Sequence, residues 1–162
     1  FPLEGKQIAS MWISLDPLPK KECLEYVAGS HLGPMFDGFS PPDVAEDPTL
    51  PHYGQDLPRL PDIEADRDAF NIMSWDITPG DVIIAHPGVL HGGGPTSNTS
   101  QRRAITIRCY GDDIVFALRP PTRPTVPLTP GLSLSLQPGE PLRSPYYPRI
   151  RPLPEAEQRQ WM

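Results

Sequence analysis

Between residues 7 and 16, apolar and polar side chains alternate with a period of two, the repeat of a β-strand rather than a helix. Ile8, Ser10, Trp12 and Ser14 fall on one face; Ala9, Met11, Ile13 and Leu15 fall on the other. The wholly apolar face is expected to meet a packed layer, and the mixed face to look into a cavity or solvent. Asp16-Pro17 and Pro19 end this strand. A second short strand spans residues 23–28 and closes in Gly29-Ser30-His31-Leu32-Gly33. Strands over 72–77 and 82–86 flank Thr78-Pro79-Gly80-Asp81, whose second-position Pro and third-position Gly are the signature of a type II turn. The clearest alternation runs over 102–110. Arg102, Ala104, Thr106 and Arg108 share one face, and Arg103, Ile105, Ile107 and Cys109 share the other. Residues 66–70 read as one helical turn and 114–118 as a last edge strand. Short strands, turn signals and almost no helical period predict an all-β sandwich or barrel.

Proline changes that picture locally. Of 24 prolines, 11 lie from Arg119 onward and six more between Pro41 and Pro61. Proline removes a backbone donor and fixes φ, so both stretches are expected to be irregular. Residues 34–66 read as a lid-like loop inside a domain spanning 1–118, and 119–162 as a proline-rich tail that wraps the surface or packs on a neighbour. A net charge of −6 provides no basic stripe for a nucleic-acid backbone. No run of 18 apolar residues is present to span a membrane. Cys23 and Cys109 sit in expected strands without CxxC spacing, as structural thiols of a reducing, cytoplasmic compartment do. The sequence opens on Phe1, so the absence of a leader carries no weight.

The chemistry concentrates between Gly80 and Ala104. A turn feeds an apolar strand, the strand delivers His91 into a glycine-rich bend, and Arg102 follows eleven residues later. Histidine is a common ligand for iron, zinc and copper, and arginine suits a carboxylate through two parallel hydrogen bonds. Gly92, Gly93 and Gly94 remove side chains from the space a metal and co-substrate need. The plainer alternatives are a histidine that merely caps a strand and two arginines in a solvated turn. Period two separates Arg102 from Arg103, so only one of them reaches the cavity; Arg102 shares its face with the small Ala104 and Thr106.

The order GD-(apolar)-H-x4-HG, then N-x-S-x-RRA, resembles the closing part of an Fe(II)/2-oxoglutarate oxygenase, the phytanoyl-CoA dioxygenase family in particular. Trp12-Ile13-Ser14-Leu15-Asp16 and the block from Cys23 to His31 extend the resemblance. It implies a double-stranded β-helix (jelly-roll, cupin-like) core lacking its N-terminal strands, with Fe(II) and 2-oxoglutarate as cofactors. His91 takes the place of the distal iron ligand, Arg102 that of the clamp on the far carboxylate of 2-oxoglutarate, and Trp12 that of a co-substrate contact, with a core tryptophan as the alternative. His86 is the competing ligand and more readily a buttress. His31 matches the GSH signature, and Ser10 and Thr106 become candidate substrate-facing or supporting residues. His52 reads as exposed in the variable loop.

Two features depart from the family. Gly93 replaces a serine, and Lys20-Lys21-Glu22 replaces an Asn-Gly. More important, the iron site needs a His-x-Asp/Glu pair, and none of His31, His52, His86 or His91 is followed by an acid two residues on. The family places that pair just ahead of the segment matching Phe1-Pro2-Leu3. The implied function is oxidation, as hydroxylation, of a small organic substrate by the intact enzyme, this chain alone being inactive. A related halogenase and a non-catalytic jelly-roll module are the alternatives; nothing fixes the substrate or the oligomeric state.

Overall fold

A computed structural model describes residues 3–36, 57–95, 97, 101–117, 136–143, 147 and 150. Their strands are β1 (Leu3–Glu4), β2 (Ile8–Ser14), β3 (Leu24–Val27), β4 (Ile72–Met73), β5 (Val82–Ala85), β6 (His91–Gly93), β7 (Ala104–Tyr110) and β8 (Val115–Phe116). Three 3-10 turns, Lys20–Glu22, Ser30–Leu32 and Glu64–Ala69, complete the elements. The chain divides into two compact units, Gln7–Gly111 and a unit of Phe1–Lys6 with Asp112–Met162.

In the Gln7–Gly111 unit, β2 lies between β5 and β7, antiparallel to both. Trp12 stands opposite Ile83 and Thr106, and Ser10 opposite Ala85 and Arg108. Register therefore gathers Ser10, Trp12, Ile83 and Thr106 on one face and Met11, Ile13, Val82, Ile84, Ile105 and Ile107 on the other. Trp12 and Ile83, together with Leu24 of β3, pack on the buried cluster of Leu18, Cys23 and Ile77. The mixed face is thus the inner one. The apolar face carries Ile84 at 64% exposure and Ile105 at 49%, the reverse of the sequence expectation. Alternation fixes which residues share a face, but not which face another layer covers.

The second sheet has the order β4-β3-β6. The strand expected over 72–77 shortens to Ile72–Met73, and Ile77 instead forms an isolated bridge with Leu18. Cys23 precedes β3 rather than lying in it and is fully buried. The type II turn forms as expected: Asp81 N–H donates to Thr78 O at 3.0 Å and Gly80 has φ +98°. The Asp81 carboxylate accepts from the Thr78 N–H and hydroxyl, both at 2.8 Å, which holds its carboxyl below the usual range. The helical turn falls at Glu64–Ala69, where Arg67 donates to both oxygens of Glu25 on β3. Residues 37–56, the greater part of the expected lid, and most of the tail lie outside the described residues.

In the other unit β8 pairs with β1, Leu3 opposite Phe116. The expected edge strand at 114–118 is thus present as Val115–Phe116. Phe116 and Leu136 form its buried cluster, with Leu142 and Tyr147 against it.

Arg103 is engaged away from the inner face. Its Nη2 donates to Asp16 Oδ1 at 2.6 Å, its Nε to Oδ2 at 3.1 Å, and its backbone N–H to Oδ2 at 2.7 Å. These bonds hold the Asp16 carboxyl below the ordinary carboxylate value. A depressed folded-state value contributes stability above the unfolded value, about 3.9, which is lost as pH falls through the depressed one. Thermal melts between neutral and strongly acidic pH are expected to lose this contribution in the wild type, whereas Asp16→Asn lacks it already at neutral pH.

Candidate functional site

Strand β6 exists because its backbone pairs with β3: His91 stands opposite Tyr26, Gly92 opposite Glu25 and Gly93 opposite Leu24. His91 therefore opens a strand instead of sitting in a bend, and β5 ends at Ala85, before His86. Between them Val89 N–H donates to His86 O at 3.0 Å. Period two places His91 and Gly93 on one face of β6, the face shared with Leu24 and Tyr26, and Leu24 packs inward. His91 is on the inner side of its sheet.

The two histidines at this turn are in opposite tautomers. His91 Nδ1 lies 2.8 Å from Val89 O. A carbonyl only accepts, so Nδ1 carries a proton, and in the neutral ring Nε2 keeps its lone pair. At His86, Gly88 N–H donates to Nδ1 at 3.0 Å. That nitrogen is the acceptor, so the Nε2 of His86 carries the proton. A backbone carbonyl holding one ring N–H is the arrangement in which the other nitrogen of a histidine ligates a metal. His91 has it; His86 does not. The ring of His86 neighbours that of His31, centroids 5.6 Å apart.

The turn that carries His31 is pinned by the residue before it. Ser30 Oγ donates to Val27 O and accepts from Leu90 N–H, both at 2.8 Å. This ties the GSH segment to the residue immediately ahead of His91. His31 itself is exposed.

Arg102 reaches the same strand from the other side of the chain. Its Nη1 donates to Gly94 O at 3.0 Å and Glu22 O at 3.2 Å. A Cβ built on Gly93 would lie 3.2 Å from both Nη1 and Nη2. The guanidinium thus occupies the room that a side chain at 93 would take, on the β6 face that carries His91. Two carbonyls engage Nη1; among the described residues Nη2 and Nε remain for a carboxylate.

The three glycines have separate reasons. Gly93 makes room for Arg102, and Gly92 has nothing nearby. Gly94 is buried, and a Cβ there would sit 2.6 Å from Lys21 O and 3.0 Å from Cys23 O. The room at Gly93 is thus taken by the Arg102 guanidinium, and Gly92 lies on the face of β6 opposite His91. Gly94→Ala is expected to cost about 1–3 kcal/mol, since rigid backbone must shift to admit the methyl group. Denaturant midpoints measure it, and an unchanged midpoint would refute the close approach.

Trp12, Ser10 and Thr106 all lie on the inner face of the β5-β2-β7 sheet. Trp12 is half-buried against Leu18, Cys23 and Ile77, so packing accounts for part of its surface. Glu22 is buried, its carbonyl taken by Arg102, and its Oε2 has no hydrogen-bond partner among the described residues. No group of three or more His, Cys, Asp or Glu able to hold a metal occurs among the described residues. His52 lies outside them.

Sequence reasoning passed over Tyr26 and Ser30. Tyr26 is buried with its ring stacked on His91, centroids 5.6 Å apart and planes at 14°. Only the β3–β6 register makes those two residues neighbours. Ser30 was legible in part, as a small hydroxyl residue in a glycine-rich turn that can satisfy backbone groups.

A profile of the family described as phytanoyl-CoA dioxygenase (PhyH) matches residues 1–104. No curated protein matches the chain. Among solved structures, the non-heme alpha-ketoglutarate-dependent carbocyclase SnoK from nogalamycin biosynthesis is 23% identical with a TM-score of 0.56, covering 89% of this chain and 49% of that one. The epimerase SnoN of the same biosynthesis is 19% identical with a TM-score of 0.61, covering 94% and 54%. Its complex with Fe3+, alpha ketoglutarate and nogalamycin RO gives 20% identity and a TM-score of 0.54, covering 90% and 51%. Likeness at these identities shows the fold, an all-β jelly roll. The chain spans about half the length of these structures.

Proposed function

The chain belongs to the phytanoyl-CoA dioxygenase family, a family of Fe(II)- and 2-oxoglutarate-dependent enzymes, and on that premise we propose that it supplies the distal half of such a site. His91 holds the metal through Nε2, and Arg102 grips the far carboxylate of 2-oxoglutarate. The observation that carries this reading is the tautomer contrast: Val89 O fixes the proton of His91 on Nδ1, whereas Gly88 N–H occupies Nδ1 of His86.

Iron and 2-oxoglutarate, when bound, supply the oxidative chemistry. The chain's own residues bind and orient. Gly94 O and Glu22 O immobilise one nitrogen of Arg102 before the co-substrate arrives, so little side-chain freedom remains to be lost on binding. Asp16 holds Arg103 elsewhere, so of the two adjacent arginines Arg102 is the one left for the site. Trp12, Ser10 and Thr106 line the facing sheet, where Trp12 is the candidate co-substrate contact and the two hydroxyls are candidate substrate contacts. His86 and His31 flank the turn ahead of His91. In this reading residues 1–118 belong to the oxygenase domain.

The reaction is hydroxylation of a small organic molecule. The structural neighbours, named as a carbocyclase and an epimerase, make ring closure or epimerisation the second reading. Neither nucleic acid nor membrane is a partner in this reading. Among the described residues no helix is long and apolar enough to cross a bilayer.

One histidine is one ligand of three, and the affinity of a facial triad comes from three ligands fixed together. In this reading the other two ligands are a His-x-Asp/Glu pair, a motif that none of the four histidines here forms. Anaerobic titration of the chain with Fe(II) and 2-oxoglutarate is therefore expected to give no metal-to-ligand charge-transfer band, while a polypeptide joining the chain to a His-x-Asp/Glu segment gives one. A one-to-one band in the chain alone, lost in His91→Ala, would mean that these residues already complete the site.

A further inference from the structure

A hydrogen bond at one ring atom is a hinge rather than a clamp. The bond from His91 Nδ1 to Val89 O orients the ring, but when that one bond opens the imidazole is free to turn about Cβ–Cγ. The two residues after His91 are Gly92 and Gly93, which offer no side chain to stop it. A second contact on the ring face opposes that rotation. Tyr26 provides it. It stands directly opposite His91 in the β3–β6 register, and its ring lies 5.6 Å away with planes 14° apart. That geometry falls within the offset-stacked range of aromatic pairs. Tyr26 is only 7% exposed, and the Trp75 ring braces it at 6.1 Å and 49°.

We propose that Tyr26 is a positioning residue for His91, its stacked ring holding the imidazole in the plane where Nδ1 meets Val89 O and Nε2 keeps a free lone pair. The proposal rests on His91 being the metal ligand for its functional meaning, but not for its geometry. Burial, with Cys23 adding a smaller push, raises the Tyr26 hydroxyl above its ordinary value.

The test is NMR on the metal-free chain. Long-range proton–nitrogen spectra of wild type are expected to show a protonated Nδ1 and an unprotonated Nε2 at His91, well separated, with nuclear Overhauser contacts between the Tyr26 ring and the imidazole protons. Tyr26→Phe keeps the ring and should retain both signatures. Tyr26→Leu removes it, and the two nitrogen shifts should converge toward a tautomer average while the amide spectrum stays dispersed. A folded Tyr26→Leu with unchanged separation would overturn the proposal. If Tyr26→Leu does not fold, wild type and Tyr26→Phe decide: absent contacts in either overturn it. Failures of the two readings are distinguishable. In the joined polypeptide, an iron band that survives His91→Ala ends the metal reading, while the ring contacts seen in wild type still stand. Missing ring contacts alongside a His91-dependent band end only the role of Tyr26.

Discussion

In a polypeptide that completes the ligand set, His91→Ala is expected to abolish the iron–2-oxoglutarate charge-transfer band and turnover together, while His86→Ala retains the band. Both residues are histidines five positions apart on one turn, so composition does not separate them; their hydrogen bonds do. Val89 O orients a free Nε2 at His91, and Gly88 N–H leaves His86 with a protonated Nε2. Loss of one ligand from a three-ligand set removes the site as a unit. His86→Ala costs the acceptor of Gly88 N–H, a net effect of about 0.5–1.5 kcal/mol on stability. Anaerobic difference spectra at matched protein concentration read both variants. A band lost in His86→Ala and kept in His91→Ala would reverse the assignment.

Arg102→Ala is expected to weaken 2-oxoglutarate binding about ten- to a hundred-fold, the effect of losing a charged hydrogen-bond partner worth roughly 1.5–3 kcal/mol. The loss should appear in the dissociation constant for 2-oxoglutarate more than in turnover at saturation, because the clamp acts on the bound co-substrate whether or not it is reacting. Arg102→Lys should recover only part. One ammonium can reach Gly94 O or Glu22 O, but it cannot also present a fork. Arg103→Ala is the control: it breaks the pair with Asp16 and lowers stability while leaving 2-oxoglutarate affinity unchanged. Equal losses of affinity in Arg102→Ala and Arg103→Ala would show that the effect is general unfolding.

Elements with a strong local code were legible in the chain. The period-two runs became β2 and β7, and Pro79-Gly80 forced the turn, because its third position needs a positive φ that glycine adopts freely. The separation of Arg102 from Arg103 was legible for the same reason, since neighbours on an extended backbone point opposite ways. The likeness of the Gly80 to Arg103 block to its family was carried by residue order alone.

Other features depend on pairing between distant segments. Nothing local shows that residues 91–93 form a strand, since Gly92 and Gly93 have poor strand propensity; hydrogen bonds from β3 make it one. The same pairing brings Tyr26 to His91 and gives Gly93 its reason, the guanidinium arriving from residue 102. The sequence set the alternation of β2, but the position of Leu18, Cys23 and Ile77 decided that its mixed face, with Trp12, is the inner one. By itself, then, the sequence determined the two long strands, the turn, the family and which side chains share a face, because these follow from residue order and bond geometry over a few residues. Tertiary structure alone decided which face is covered, which nitrogen of each histidine is free and what holds Arg102, because each depends on a backbone group brought in from elsewhere in the chain or by the fold of the turn.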